Sequence, residues 1–462
     1  MTKKAAPAAV FQEYLIQPLQ AFFRTQAIGG VLLLTASVAA IVCANTGLAP
    51  LYHRLWETPL RVGLGGFMVD KTLHHWVDDG LMAIYFFLVG LEIKREVLAG
   101  ELGVPKKAVL PITAAVGGML APALIYAVIN AGGEGLHGWG IPMATDIAFS
   151  LGVLQLLKGR APIGLLVFLT ALAIADDLGA VLVIALFYGG RIAVEPLIIG
   201  GLILAVSVAL NRAGVRKTLL YSLLGVALWL AFLNSGVHAT IAGILLAFTI
   251  PTRTTLTAGQ FQQRVGELMR RFAAGDSGRS ALERDETQQA LIRQVGMAAL
   301  AVEAPLQRIE HNLHPWVTIA IIPLFAFANA GIDISSRALG AALIHPVTLG
   351  VVVGLVLGKQ LGVMLCSWLP VRLGWAELPA GVTWKHLYGV SWLAGIGFTM
   401  SIFIANLAFE EPHLVEQAKI GILLASLIAG AVGYGLLGGW AGVEKCSKGT
   451  SRSGGERSSS HR

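Results

Sequence analysis

The chain has 462 residues, of which 55% are apolar and only 13% charged, with a mean hydropathy of +0.71 and a formal net charge of +7. Soluble domains carry roughly 25% charged residues, so a chain this apolar cannot cover itself in water and its solvent is lipid. Three cysteines (Cys43, Cys366, Cys446) show neither metal spacing nor a disulfide framework, and the distribution of the cations described below argues against nucleic acid as the partner.

A basic N-terminal segment, 1–26, with Lys3, Lys4 and Arg24, precedes the first apolar run, 27–47. This run is read as an uncleaved first helix, not a signal peptide, because it continues to about residue 46 and eleven more apolar runs follow. Residues 48–72 hold Gly63, Gly65, Gly66 and β-prone residues that suit a short hairpin. Runs of the roughly 20 residues that cross a bilayer then recur at 80–99, 107–130, 139–158, 162–189, 194–211, 217–233 and 235–251. A long polar loop, 252–313, contains helical patches such as QQRVGELMRRFAA and ETQQALIRQVGMAALAV, read as a cytoplasmic tether or an amphipathic surface helix. Four further runs, 314–332, 345–368, 386–408 and 417–438, are followed by a Ser/Gly/Arg-rich tail, 439–462, whose composition predicts disorder. With twelve spans and both ends inside, 27 Lys and Arg fall on the inner side, 6 on the outer, and Lys359 within a span. This asymmetry follows the positive-inside rule. The expected fold is an all-α polytopic membrane protein, residues 27–251 forming spans one to eight and 314–438 spans nine to twelve.

Charges inside spans cost roughly 2.5–3.5 kcal/mol each on insertion scales, so each is a functional candidate. Asp176 and Asp177 lie in LTALAIADDLGAVLVIALF, about 21 Å along the helix from Pro162. Adjacent helical residues point about 100° apart, so one can face an ion cavity and the other a partner helix. Two close carboxylates cannot both ionise cheaply in a low dielectric; such a group can hold a proton, or release it and hold a small hard cation, which is the chemistry of an exchanger. Asp146 lies in GWGIPMATDIAFSLG, where Gly138, Gly140 and Pro142 interrupt the helix and Thr145 adds a hydroxyl. A second interruption falls in GVSWLAGIGFTMSIFIA, at Gly395, Gly397 and Thr399. Two interrupted helices in corresponding positions point to a midplane site. Asp146 would answer the positive half-helix ends and Lys359 the negative ones, with Asp176 as the anionic partner of Lys359.

Carried by DDGLMAIYFFLVGLEIKRE, GIPMATDIAFSLGVL, LTALAIADDLGA, SGVHATIAG, HPWV…IPLFAFANAG, LGKQLG and GIGFTMSIFIA, from about residue 78 to residue 406, the sequence closely resembles the NhaA-type sodium/proton antiporters. The resemblance implies ten helices in two inverted repeats plus two more, with the helices around Asp146 and Gly395–Thr399 crossing as broken helices. It implies that Asp177 is the main ion-binding carboxylate, that Asp176 is its neighbour coupled to Lys359, and that Asp146 and Thr145 support the broken helix. Glu92, Glu96, Glu310, His311 and His314 resemble the cytoplasmic cluster associated with pH activation, and His238 in SGVHAT also matches a family position. Two departures stand out: Gln360 follows Lys359 where the family usually has proline, and the 252–313 loop is longer than the compact family form.

The expected function is therefore not enzymatic. It is electrogenic, pH-regulated exchange of Na⁺ or Li⁺ for protons in a bacterial inner membrane, with no cofactor and no partner beyond the ions, the lipid bilayer and a homodimer that residues 48–72 could pair. Two rival readings are a sodium-coupled symporter of an organic anion, which would need a roomier polar cavity, and an ion sensor signalling through 252–313.

Overall fold

The structure is a computed structural model that describes residues 17–64, 67–157, 161–190, 192–274, 286–333, 340 and 342–453. The glycines Gly65 and Gly66, the cations Lys158, Arg160, Arg191 and Arg337, the centre of the polar loop and the end of the tail lie outside the described residues.

The first helix, α1 (Gln17–Ala44), turns through 111° into a short helix, α2 (Ala49–Glu57). Tyr52 anchors α2 by donating to the Phe327 carbonyl at 2.6 Å. The hairpin expected in 48–72 forms in its second half: β1 (Pro59–Leu64) pairs antiparallel with β2 (Phe67–Thr72), Arg61 opposite Asp70 as a 2.8 Å ion pair. A π-helical turn, Trp76–Leu81, leads into α3 (Met82–Ala99).

Every apolar run read from the sequence contains helix. In order these are α4 (Pro105–Ile129), α5 (Ile147–Leu156), α6 (Ile163–Phe187), α7 (Val194–Arg212), α8 (Thr218–Leu233) and α9 (Thr240–Thr249). The polar loop folds into α10 (Ala258–Ala274) and α11 (Glu286–Val302), which pack on each other. Then come α12 (Pro305–Asn329), α13 (Pro346–Arg372), α14 (Trp384–Ala394), α15 (Phe398–Ala408) and α16 (Pro412–Ser453). The protein is thus a polytopic helical membrane protein. Among the described residues six helices are long and apolar enough to cross a membrane, or up to eight if each of two bent pairs is one span. Helices α5, α8 and α9 are shorter than a full span.

Three boundaries differ from the sequence reading for local reasons. The α8–α9 break spreads over 234–239, where Gly236 takes φ 79° and its carbonyl accepts from Gly190 at 2.7 Å. Helix α12 starts at Pro305, ahead of the expected 314, because Pro at a first helical position lacks only an N–H that has no intrahelical acceptor. The last helix runs on past 438 to Ser453.

The tightest packing joins α4 to α13. Gly354, Gly358 and Gly362 recur every four residues on one face of α13. A β-carbon on Gly358 would meet the Pro122 backbone at 2.7 Å; one on Gly362 would collide with the Gly117 carbonyl. Small residues let two helix backbones approach this closely, and the approach seats Lys359 against Gly118. Gly362→Val is expected to lower stability by about 1–3 kcal/mol through overpacking, read as an earlier thermal unfolding of the detergent-purified protein. An unchanged melting temperature would show that this contact is not tight.

Candidate functional site

Two interrupted helices meet in the middle of the bundle. The first enters as a 3-10 segment, Glu134–Met143, opens into extended backbone at 144–146 and resumes as α5. The second is α14 and α15, bent by 43° across residues 395–397. Both Gly140 and Pro142 sit in the 3-10 segment, and the Gly140 N–H donates to the Tyr188 hydroxyl at 3.1 Å. The two openings touch backbone to backbone: the Asp146 N–H donates to the Ile396 carbonyl at 2.7 Å. Hydroxyls tie the rest of the crossing. Thr145 donates to the Ala394 carbonyl at 2.8 Å, Ser150 to Leu393 at 2.7 Å and Ser401 to Ile141 at 2.8 Å. A β-carbon on Gly397 would collide with the Ser401 hydroxyl and lie 3.1 Å from the Ala144 carbonyl, so a side chain there would have to displace the Ser401 tie.

Asp146 caps both broken helices at once. Its Oδ1 accepts from the Phe149 N–H at 3.0 Å, in the first turn of α5. Its Oδ2 accepts from the Thr399 N–H at 3.1 Å and from the Thr399 hydroxyl, in the first turn of α15. One carboxylate therefore satisfies orphan donors at two helix N-termini, where the dipole favours negative charge.

Lys359 follows a π-helical turn, Gly354–Gly358, in α13. Its Nζ donates to Asp176 Oδ2 at 2.6 Å and to Thr145 Oγ1 at 2.9 Å. Because Thr145 in turn donates to Ala394, the ammonium reaches the C-terminal end of α14 through one hydroxyl. Both members of the Lys359–Asp176 pair are 0% exposed. Asp177, one residue on, is also 0% exposed, and neither of its carboxylate oxygens has a hydrogen-bond partner, nor does Oδ1 of Asp176. A carboxylate so buried is costly unless a proton or a cation neutralises it. The site thus pairs one acid with an internal ammonium, while its neighbour Asp177, faced by the buried Tyr85 hydroxyl, has no ion-pair partner among the described residues.

A second group lies along α3. The Arg95 guanidinium donates to Glu310 at 2.7 Å, Glu92 faces both, and Glu96 accepts the Glu101 N–H at 2.7 Å. His314 is buried on the same turn of α12 and His311 is exposed. His238 stands apart from this group. Its Nδ1 shares a 2.9 Å hydrogen bond with Thr240, and its Nε2 is 3.9 Å from Asp79, thirteen residues or about 20 Å along the helix from Glu92.

Three features escaped the sequence reading. The Ser150 and Ser401 ties were legible only as hydroxyls near each break. The glycine spacing in GLVLGKQLG announced a close helix contact without naming its partner. Asp78, Asn329 and Asn406 form a third polar knot, both asparagine amides donating to Asp78 at 2.8 and 3.1 Å, and nothing in their separation along the chain connects them.

Comparison with known proteins shows the family. The family profile described as Na⁺/H⁺ antiporter 1 matches residues 20–437. The chain is 49% identical over 433 residues to the Na(+)/H(+) antiporter NhaA of Oleidesulfovibrio alaskensis, covering 94% of this chain and 96% of the relative. It is 49% identical over 424 residues to the Na(+)/H(+) antiporter NhaA 2 of Syntrophotalea carbinolica, covering 92% and 97%. It is 47% identical over 422 residues to the Na(+)/H(+) antiporter NhaA of Syntrophobacter fumaroxidans, covering 91% and 89%.

The Lys359–Asp176 contact generates a double-mutant test. Lys359→Ala strands a buried carboxylate and is expected to destabilise the purified protein by about 3–5 kcal/mol. Adding Asp176→Asn removes the stranded charge and should recover most of that loss. Equal losses in single and double variants would show that the pair is not coupled.

Proposed function

We propose that this chain, which belongs to the Na⁺/H⁺ antiporter 1 family, exchanges Na⁺ or Li⁺ for protons across a bacterial inner membrane and does so electrogenically. The observation that carries the proposal is Asp177, fully buried with both oxygens unpartnered beside the Lys359–Asp176 pair, at the crossing of two broken helices. In the inward-facing state Na⁺ displaces protons from this group of residues. The bundle then rocks outward, Na⁺ leaves and protons return. Asp177 is the cation-binding carboxylate. Asp146 and Thr145 hold the crossing, and Gly140, Pro142, Gly395, Gly397 and Thr399 give it its backbone shape. A second proton travels on Asp176 or on Lys359, whose contact must break whenever either changes charge.

The same reading includes twelve spans in inverted repeats with both termini cytoplasmic, supported by the 27 inner against 6 outer cations in the sequence. Residues 1–26, 252–313 and 439–462 are its cytoplasmic parts, and a homodimer would pair through the outer hairpin. Glu92, Glu96, Glu310, His311 and His314 form the pH-sensing group, with His238 as a separate titrating residue near Asp79.

Everted vesicles provide the direct test. Wild-type vesicles should show a Na⁺-induced pH change and Asp177→Asn vesicles none; normal exchange by the variant would remove Asp177 from the role. For stoichiometry, an interior-negative potential imposed on proteoliposomes should accelerate Na⁺ efflux, since more than one proton enters per Na⁺ leaving. Indifference to the potential would mean one-for-one exchange.

A further inference from the structure

Tyr85 is a buried polar residue of α3 that the exchange mechanism above leaves without a task. The sides of α3 are identified by what they touch. Ala83 and Phe87 meet Gly243 of α9, and the Phe86 ring stands 5.4 Å from that of Phe403 on α15. Side chains turn by about 100° per residue, so Tyr85 points away from α9 and to one side of the α15 contact. Helix α3 also packs on α6, and the Tyr85 hydroxyl faces Asp177 there.

The two groups are close, yet no hydrogen bond joins them. Tyr85 is 8% exposed, and both oxygens of Asp177 lack a hydrogen-bond partner. A buried tyrosine hydroxyl normally finds a partner, and a buried carboxylate needs one. A cation held between them satisfies both. The ionised carboxylate supplies the charge, and the phenol oxygen turns its lone pairs to the ion. Neutral oxygens replace part of the water shell of an alkali cation in this way. The other charged side chains around Asp177 include Asp176, Lys359 and Asp146, and these already hold partners in one another or in Thr399 and Phe149.

Tyr85 also stands on a polar face of α3. Glu92 and Glu96 follow it by seven and eleven residues, so all three share one side of the helix, with Glu92 about 10 Å away along its axis. The charge of Glu92 is felt by both Tyr85 and Asp177. In the orientation proposed above, a cation that enters from the Lys94 end of α3 passes Glu96 and Glu92 before it reaches Tyr85 and Asp177.

We propose that Tyr85 is a further substrate-binding residue of the exchange site, its hydroxyl oxygen serving as a neutral ligand to the alkali cation on Asp177. This rests on reading Asp177 as the cation-binding carboxylate. A neutral ligand adds affinity for the cation without carrying a proton of the exchange, so it acts on cation binding and leaves the proton count alone.

The test compares wild type with Tyr85→Phe in everted vesicles and as detergent-purified protein. The substitution removes one oxygen and keeps the ring, on a helix that already carries Phe86 and Phe87. Loss of one neutral ligand is expected to raise the KM for Na⁺ and for Li⁺ about fivefold, with kcat and protons per cation close to wild type. Without Na⁺ the purified variant should melt close to wild type, and added Na⁺ should raise its melting temperature less than that of wild type. Wild-type KM values for both cations, or a lower kcat at unchanged KM, would overturn the proposal. So would melting well below wild type in the absence of Na⁺, which would assign the hydroxyl to packing. Asp177→Asn in the same vesicles separates the two readings. Normal exchange there sinks the assignment of Asp177, whereas no exchange there together with a wild-type KM in Tyr85→Phe sinks only the role of Tyr85.

Discussion

Compensation of buried charge is the constraint on which the rest of this molecule depends. Asp176, Asp177 and Lys359 are 0% exposed and Asp146 2%, in a chain whose surroundings offer little water. Each therefore needs a partner whose own charge or dipole answers it. Asp146 finds two helix N-termini, Asp176 finds Lys359, and Lys359 finds both Asp176 and, through Thr145, a helix C-terminus. Asp177 has no such fixed partner. That asymmetry between two consecutive residues is what the proposed exchange draws on, because a buried carboxylate without an ion-pair partner favours taking up a proton or a cation.

The broken helices are the means of compensation. An intact helix would hide its end dipoles at the membrane faces. Opening the backbone at 144–146 and 395–397 brings four helix ends to the depth of the carboxylates, where exposed backbone is tolerated only because it is buried in protein. The freed groups are then used up: Asp146 N–H on Ile396, Ser150 on Leu393, Ser401 on Ile141. Close approach is equally necessary. Without the glycines of α13 against Gly117 and Pro122, Lys359 could not stand within hydrogen-bond reach of α6. The π-helical turn that precedes it shifts the phase of the helix at the point where the lysine must face inward, a common use of such turns.

How much of this was legible varied with the kind of signal. Lys359 and the three aspartates Asp146, Asp176 and Asp177 announced themselves, since a charge in an apolar run has few reasons to be there. Gly140, Pro142, Gly395 and Gly397 marked the breaks for a similar reason. The hairpin was legible from its glycines and β-prone residues, but the first half of the 48–72 segment became α2, because Tyr52 and Trp56 bury one face there. His238 was singled out by its resemblance to a family position, and the fold carries it to Asp79, in the turn that precedes α3. The Asp78–Asn329–Asn406 knot was invisible, since ordinary asparagines 77 residues apart give no local pattern.

Sequence by itself determined the solvent, the helical character, the places where helices break and the identity of the buried charges. These follow from local composition and from the energetic penalty of placing polar groups among apolar ones. Only the tertiary structure decided which backbone end each charge answers, that Lys359 also reaches Thr145, and that Gln360 is buried without a partner. Those are matters of helix rotation and distance between segments far apart in the chain. Side-chain direction around a helix changes by about 100° per residue, and packing against a neighbouring helix fixes which of two consecutive residues looks inward.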